Sequence, residues 1–150
     1  MEDFSMNNIL EFKLYGTRFG ISIDTIDKII EYRGIRTFPK MGNHIEGLIV
    51  YQNDMIPVID LSGYFQLNQT ENHKNKLIVV NTSGQRVAFH VNDVQRIIPY
   101  EEQRLKSMDE TNEYALGVYE LDSSEQLIIV NTQTDIFLKG EKTYDSDYRL

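Results

Sequence analysis

The chain has 150 residues, a net charge of −8, 41% hydrophobic and 25% charged residues, and no cysteine. This is a globular mixture, long enough for one domain or two small intertwined barrels. The charge argues against nucleic-acid binding and anionic membrane surfaces, which call for a basic face; the missing cysteines exclude disulfides, thiolate catalysis and cysteine zinc sites.

Nine Tyr and seven Phe, against alanine only at Ala88 and Ala115, favour strands over helices. Residues 1–8 are acidic and polar, unlike a signal peptide, and no apolar run approaches the roughly 20 residues of a membrane helix. A cytoplasmic location without membrane insertion is therefore expected. Residues 9–15 alternate apolar and polar, 16–18 turn, and 19–23 return, which predicts a hairpin. Ile26, Ile29 and Ile30 have helical spacing, but their β-branching equally fits a short turn entering a strand. Residues 35–38 read as extended before Pro39, and 40–43 as a loop.

Residues 45–61 read as two strands folded on a tight turn at Asn53-Asp54, followed by a short helix over 62–67. Residues 68–75 form a polar stretch, expected to be an exposed loop between two halves. The second half repeats the grammar. A buried strand over 76–81 turns at Ser83-Gly84 into an alternating strand over 85–91, and a third strand covers 94–99. A charged loop with a turn of helix spans 100–112, a hairpin joins 114–121 to 126–131, and a closing helix over 132–138 turns Ile136 and Phe137 inward. Residues 141–150 read as a frayed polar tail.

Strands about every ten residues with short turns predict a mostly β fold of small barrels, not a parallel sheet with crossover helices. The expected architecture is two small barrel subdomains sharing a core, with short helices. The first covers about residues 9–67 plus a C-terminal contribution, the second about 76–131.

No reaction centre stands out. His44, His73 and His90 lie far apart without metal-ligand spacing, so no metal site is expected. There is no Gly-x-Ser-x-Gly elbow and no phosphate-cradling loop, and the pairs Glu101-Glu102 and Asp109-Glu110 fall in solvated loops. An enzyme would need a set such as His90, Asp93 and Arg96, which reads instead as a strand end and a turn. Asp60, at the exit of a strand, is either a surface handle or the cap of the short helix; Asp is a preferred cap residue, which favours the cap. The tyrosines could line a peptide groove in a stand-alone ligand-binding module, although aromatics on strands more often serve as core or cross-strand partners.

Phe19-Gly-Ile21, Ile45-Glu-Gly47, Pro57-Val-Ile-Asp-Leu61, Gly84-Gln-Arg-Val87 and Leu127-Ile-Ile-Val-Asn131, in this order and spacing, resemble the CheW family, the coupling proteins of bacterial chemotaxis. The likeness runs from about Ile9 to Leu138. It implies two SH3-like five-stranded barrels and a non-enzymatic adaptor without a cofactor. Such an adaptor bridges the regulatory domain of a CheA-type histidine kinase and the cytoplasmic tip of a methyl-accepting chemoreceptor. By position in the matched segments, the resemblance implies kinase-facing residues Ile29, Ile30, Glu31, Gly47, Gln52, Asn53 and Asp54, and receptor-groove residues Ile26, Ile49, Tyr51 and Val87. For the apolar members the competing role is core packing, and for Glu31 and Asp54 a solvated surface. Three departures stand out. The family's Asn-Leu-Arg-Gly is replaced by Val50-Tyr51-Gln52-Asn53, its early Glu corresponds to Lys28, and a Pro before the strand pair corresponds to Gly42. A guanidinium fork is thereby lost at Gln52, while Asn53 can still hold a left-handed turn. The expectation is a kept fold with an altered binding surface, used by a divergent coupling protein or by a CheW-like module of another signalling system.

Overall fold

A computed structural model describes residues 7–32, 44–68, 74–107 and 112–138. The first hairpin joins β1 (Asn8–Leu14) to β2 (Thr17–Ser22); a 3-10 turn over Ile23–Thr25, capped by the Ser22 hydroxyl, leads into β3 (Ile26–Glu31). Next come β4 (Ile45–Tyr51), β5 (Asp54–Ile59) and the short helix α1 (Leu61–Tyr64). Then follow β6 (Lys76–Thr82), β7 (Gln85–Val91), β8 (Asp93–Pro99), a 3-10 turn at Glu102–Arg104 and the two-residue β9 (Leu105–Lys106). Strands β10 (Ala115–Glu120) and β11 (Gln126–Val130) precede a last helical turn over 135–138. The expectations for 35–43, for most of 68–75 and for 141–150 lie outside the described residues.

Three hairpins close on two-residue loops with left-handed backbone at both positions: Tyr15 and Gly16 (φ 50 and 83), Gln52 and Asn53 (53 and 64), and Ser83 and Gly84 (55 and 82). This is the type I′ pattern, whose twist matches that of the strands it joins. The β4–β5 turn is therefore Gln52-Asn53, one residue earlier than Asn53-Asp54. Asp54 already pairs with Tyr51 in the ladder, so register forces Gln52 into a conformation its own propensity disfavours.

The strands form a six-stranded sheet, ordered β8-β1-β2-β11-β10-β9, and a five-stranded sheet, ordered β3-β6-β7-β5-β4. The sheets interleave along the sequence. Each half of the chain gives its first hairpin to one sheet and its later strands to the other, so a partition at residues 68–75 is not a partition into sheets. The halves repeat in detail. Strands β2 and β11 pair in parallel, as do β7 and β5. A bulge at Ile45/Gly47 matches one at Ala115/Gly117. The Asp60 N–H donates to the His44 carbonyl at 2.8 Å, just as the Asn131 N–H donates to Tyr114 at 2.9 Å.

The central strands of each sheet are buried on both faces. Leu10, Phe12, Leu14, Phe19 and Ile21 of the six-stranded sheet meet Ile59, Ile78, Val80, Val87, Phe89 and Val91 of the five-stranded one in a common core, joined by Leu61, Val130 and Phe137. Behind the five-stranded sheet lies a second cluster of Ile49, Tyr51, Ile56, Val58, Leu77, Val79 and Ala88. Ile30 of the opposite edge strand packs on it, so the sheet curls until its two edges share one cluster. Ile9, Tyr119, Leu127 and Ile129, with Ile98 and Leu105 beside them, do the same behind the six-stranded sheet. Gly20 permits the closest approach there: a Cβ on it would lie 2.6 Å from Ile9 and 2.8 Å from Ile129. Two curled sheets around one shared core match the expected mostly β, two-subdomain architecture, with six and five strands in place of five and five.

Candidate interaction surface

Alternation along β4 and β5 decides what this hairpin shows to solvent. Ile49 and Tyr51 point inward to the second cluster, so Leu48 and Val50 point outward. Across the ladder Leu48 faces Pro57 and Val50 faces Met55. Val50 is 66% and Met55 45% exposed, giving the hairpin an uncovered apolar outer face. At its tip Gln52, Asn53 and Asp54 are exposed. On the far edge strand β3, Ile29 is 38% exposed and Glu31 holds Lys76 at 2.7 Å, while Ile30 is half-buried.

Arg86 ties these two elements together. Its Nε donates to Asp27 of β3 at 2.9 Å, one terminal nitrogen reaches the Gln52 amide oxygen at 3.3 Å, and the guanidinium lies 5.4 Å from the Tyr51 ring centre. A guanidinium thus stands at the hairpin tip although residue 52 is Gln; it comes from β7.

Three expected groove residues are buried. Val87 has no exposed surface, because the period of β7 sends it with Phe89 and Val91 into the common core. Ile49 and Tyr51 are buried by the register of β4 against β5. Ile26 is half-buried at the edge of the common core. The exposed Val50 and Met55 were missed, although alternation from Gly47 marks Val50 as outward-facing.

A second polar cluster closes the other end of the five-stranded sheet. Glu46 accepts from Lys74 Nζ at 2.5 Å and is bound to His90 Nδ1 at 2.8 Å; His90 Nε2 lies 3.0 Å from the Lys74 carbonyl, and the His90 ring stacks on Tyr32 at 4.7 Å. Burial raises the Glu46 carboxyl, but the hydrogen bonds and charges of His90 and Lys74 outweigh it and hold the group below its ordinary range. Burial likewise lowers Lys74, and Glu46 more than reverses it. His90 is 5% exposed and bonded through both ring nitrogens, a packing role. Asp60 is the N-cap of α1, accepting from Ser62 N at 3.0 Å and Ser62 Oγ at 2.7 Å.

His90, Asp93 and Arg96 do not converge. His90 turns to Glu46, whereas Arg96 is bound to Glu11 of the six-stranded sheet at 2.8 Å and Asp93 accepts from Gln95 at 2.9 Å. Among the described residues no group of His, Asp and Glu is arranged to hold a metal ion, and no helix is long and apolar enough to cross a membrane.

A family model described as CheW-like domain matches residues 8–134. Among curated proteins, the chain is 27% identical over 97 residues to a chemotaxis protein CheW of Thermotoga maritima, covering 65% of this chain and 64% of that protein. It is 19% identical over 104 residues to a chemotaxis protein CheW of Treponema pallidum, covering 66% and 61%. The chain thus spans less than two thirds of the length of these relatives. Among solved structures, the scaffolding protein TtCheW from Thermoanaerobacter tengcongensis superposes with a TM-score of 0.75 at 23% identity, over 85% of this chain and 90% of that one, a likeness of fold.

Proposed function

The chain belongs to the CheW-like domain family, and from that premise we propose that it is a non-enzymatic adaptor coupling chemoreceptors to a CheA-type histidine kinase in chemotaxis-type signalling in the cytoplasm. The match over residues 8–134, which takes in both sheets, carries the reading. The regulatory domain of the kinase docks on the five-stranded sheet, using Ile29 and Glu31 of β3 and Gln52, Asn53 and Asp54 of the hairpin tip. Ile30 and Gly47 shape the backbone beneath, and Val50 and Met55 supply apolar area beside it. The cytoplasmic tip of a methyl-accepting receptor lies along the seam between the sheets near Ile26, with Ile49, Tyr51 and Val87 holding the shape from within. Neither nucleic acid, cofactor nor membrane insertion enters this function.

Titrating the cognate kinase regulatory domain into the chain by calorimetry tests the reading. Saturable binding is expected, and Asp54→Arg at the exposed tip should weaken it by about tenfold or more, the effect of losing one charged hydrogen bond at an interface. A folded chain that shows no binding at tens of micromolar would remove the kinase from the proposal.

A further inference from the structure

On the six-stranded sheet, β1 places Glu11 opposite Gly20 of β2 and Arg96 of β8. Glu11 is only 2% exposed and both its oxygens are taken, by Arg18 Nε at 2.7 Å and by Arg96 Nε at 2.8 Å. Burial raises the Glu11 carboxyl, but the two guanidiniums outweigh it and hold the group below its ordinary value. The shared carboxylate therefore fixes two arginines by their Nε sides and leaves their terminal nitrogens facing a shallow depression of about 320 Å³. Its lining is Glu11, Lys13, Arg18, Gln95, Arg96 and Glu125.

The Glu125 carboxylate approaches those terminal nitrogens. Its Oε1 is 3.6 Å from Arg18 and 3.8 Å from Arg96, both beyond hydrogen-bond length. The Glu125 backbone is anchored, because Asp122 accepts from the Ser124 and Glu125 N–H groups at 2.8 and 3.0 Å, but the side chain itself is about half exposed. A carboxylate thus already stands where an incoming one would bind, held loosely. Three cations against two anions line the depression, on a chain whose net charge is −8. Acidic segments are repelled by the chain as a whole, and here they find two pre-oriented forks suited to carboxylate geometry.

We propose that the depression at Arg18 and Arg96 is a docking site for carboxylate side chains of an acidic segment of a partner protein, with Glu125 holding the place until the partner displaces it. The occupant is a protein carboxylate because a carboxylate of the chain itself, Glu125, occupies the position.

The full chain, labelled for NMR, is titrated with a hexaglutamate peptide at fixed ionic strength, with inorganic phosphate and sodium chloride as parallel arms. Saturable shifts of the Arg18 and Arg96 side-chain Nε resonances are expected with the peptide. Arg96→Gln, at an exposed side chain, should weaken binding about tenfold. Glu125→Gln, which removes only the competing charge, should tighten it by about two- to fivefold. No saturable shift, or an affinity unmoved by Glu125→Gln, overturns the proposal. Phosphate binding as tightly as the peptide replaces it with a generic anion site.

Discussion

Replacing Phe137 by Ala is expected to lower the free energy of unfolding by about 3–5 kcal/mol, the range for emptying a fully buried aromatic site. Phe137 is 1% exposed and its ring meets three others, Tyr64 at 5.2 Å, Phe89 at 5.2 Å and Tyr114 at 5.3 Å. Those rings belong to α1, to β7 and to the segment entering β10, so one side chain closes the common core onto both halves of the chain. Its carbonyl also accepts the Tyr64 hydroxyl at 3.1 Å, which fixes the last helical turn. A domain of this size has about 5–15 kcal/mol in total, so the variant should unfold at a much lower urea concentration with a similar slope. A loss under about 1 kcal/mol would mean that the last turn is an appendage and not part of the core.

The second large effect concerns Glu46. Breaking a buried ion pair from one side typically costs about 3–5 kcal/mol, and because Glu46 is partly exposed roughly 2–3 kcal/mol is expected for Glu46→Ala. The variant leaves the mostly buried Lys74 ammonium without its main partner, and His90 without one of its two bonds. The pH dependence follows from the direction of the shift. The folded carboxyl titrates below its ordinary value of 4.5, so its contribution is complete above about pH 4.5 and is lost as pH falls through the lowered folded value. Lys74, raised from 10.5, contributes fully below that value and loses its share as pH rises through the raised one. The stability difference between the native chain and Glu46→Gln should therefore be flat between these limits and shrink below pH 4.5. A difference that stays constant into strong acid would show that Glu46 acts through packing alone.

The hairpins were legible because their cause is local. Alternation in residues 9–15 and 85–91, with Gly16 and Gly84 between short strands, is enough to place β1–β2 and β6–β7. The cap at Asp60 was legible for the same reason. The Gln52-Asn53 turn was displaced by one residue because ladder register, not the propensity of Asn53, selects the loop. The interleaving of the sheets leaves no local trace, since it rests on the parallel pairs β2–β11 and β5–β7, whose members are far apart in sequence. Glu11 reads as the polar member of an alternating strand, because its partners stand 7 and 85 residues away. Val87, Ile49 and Tyr51 fell on matched segments but on inward positions; resemblance supplies a segment, and the period of the strand then decides which side chains a partner can reach.

The most direct measurement is kinase control in a reconstituted system of chain, cognate histidine kinase and membrane-embedded receptor. Autophosphorylation of the kinase should respond to receptor ligand only when the chain is present, and Asp54→Arg should blunt that response while leaving the basal activity of the kinase intact. A kinase equally responsive without the chain, or unresponsive with it although all three are folded, would contradict the coupling role.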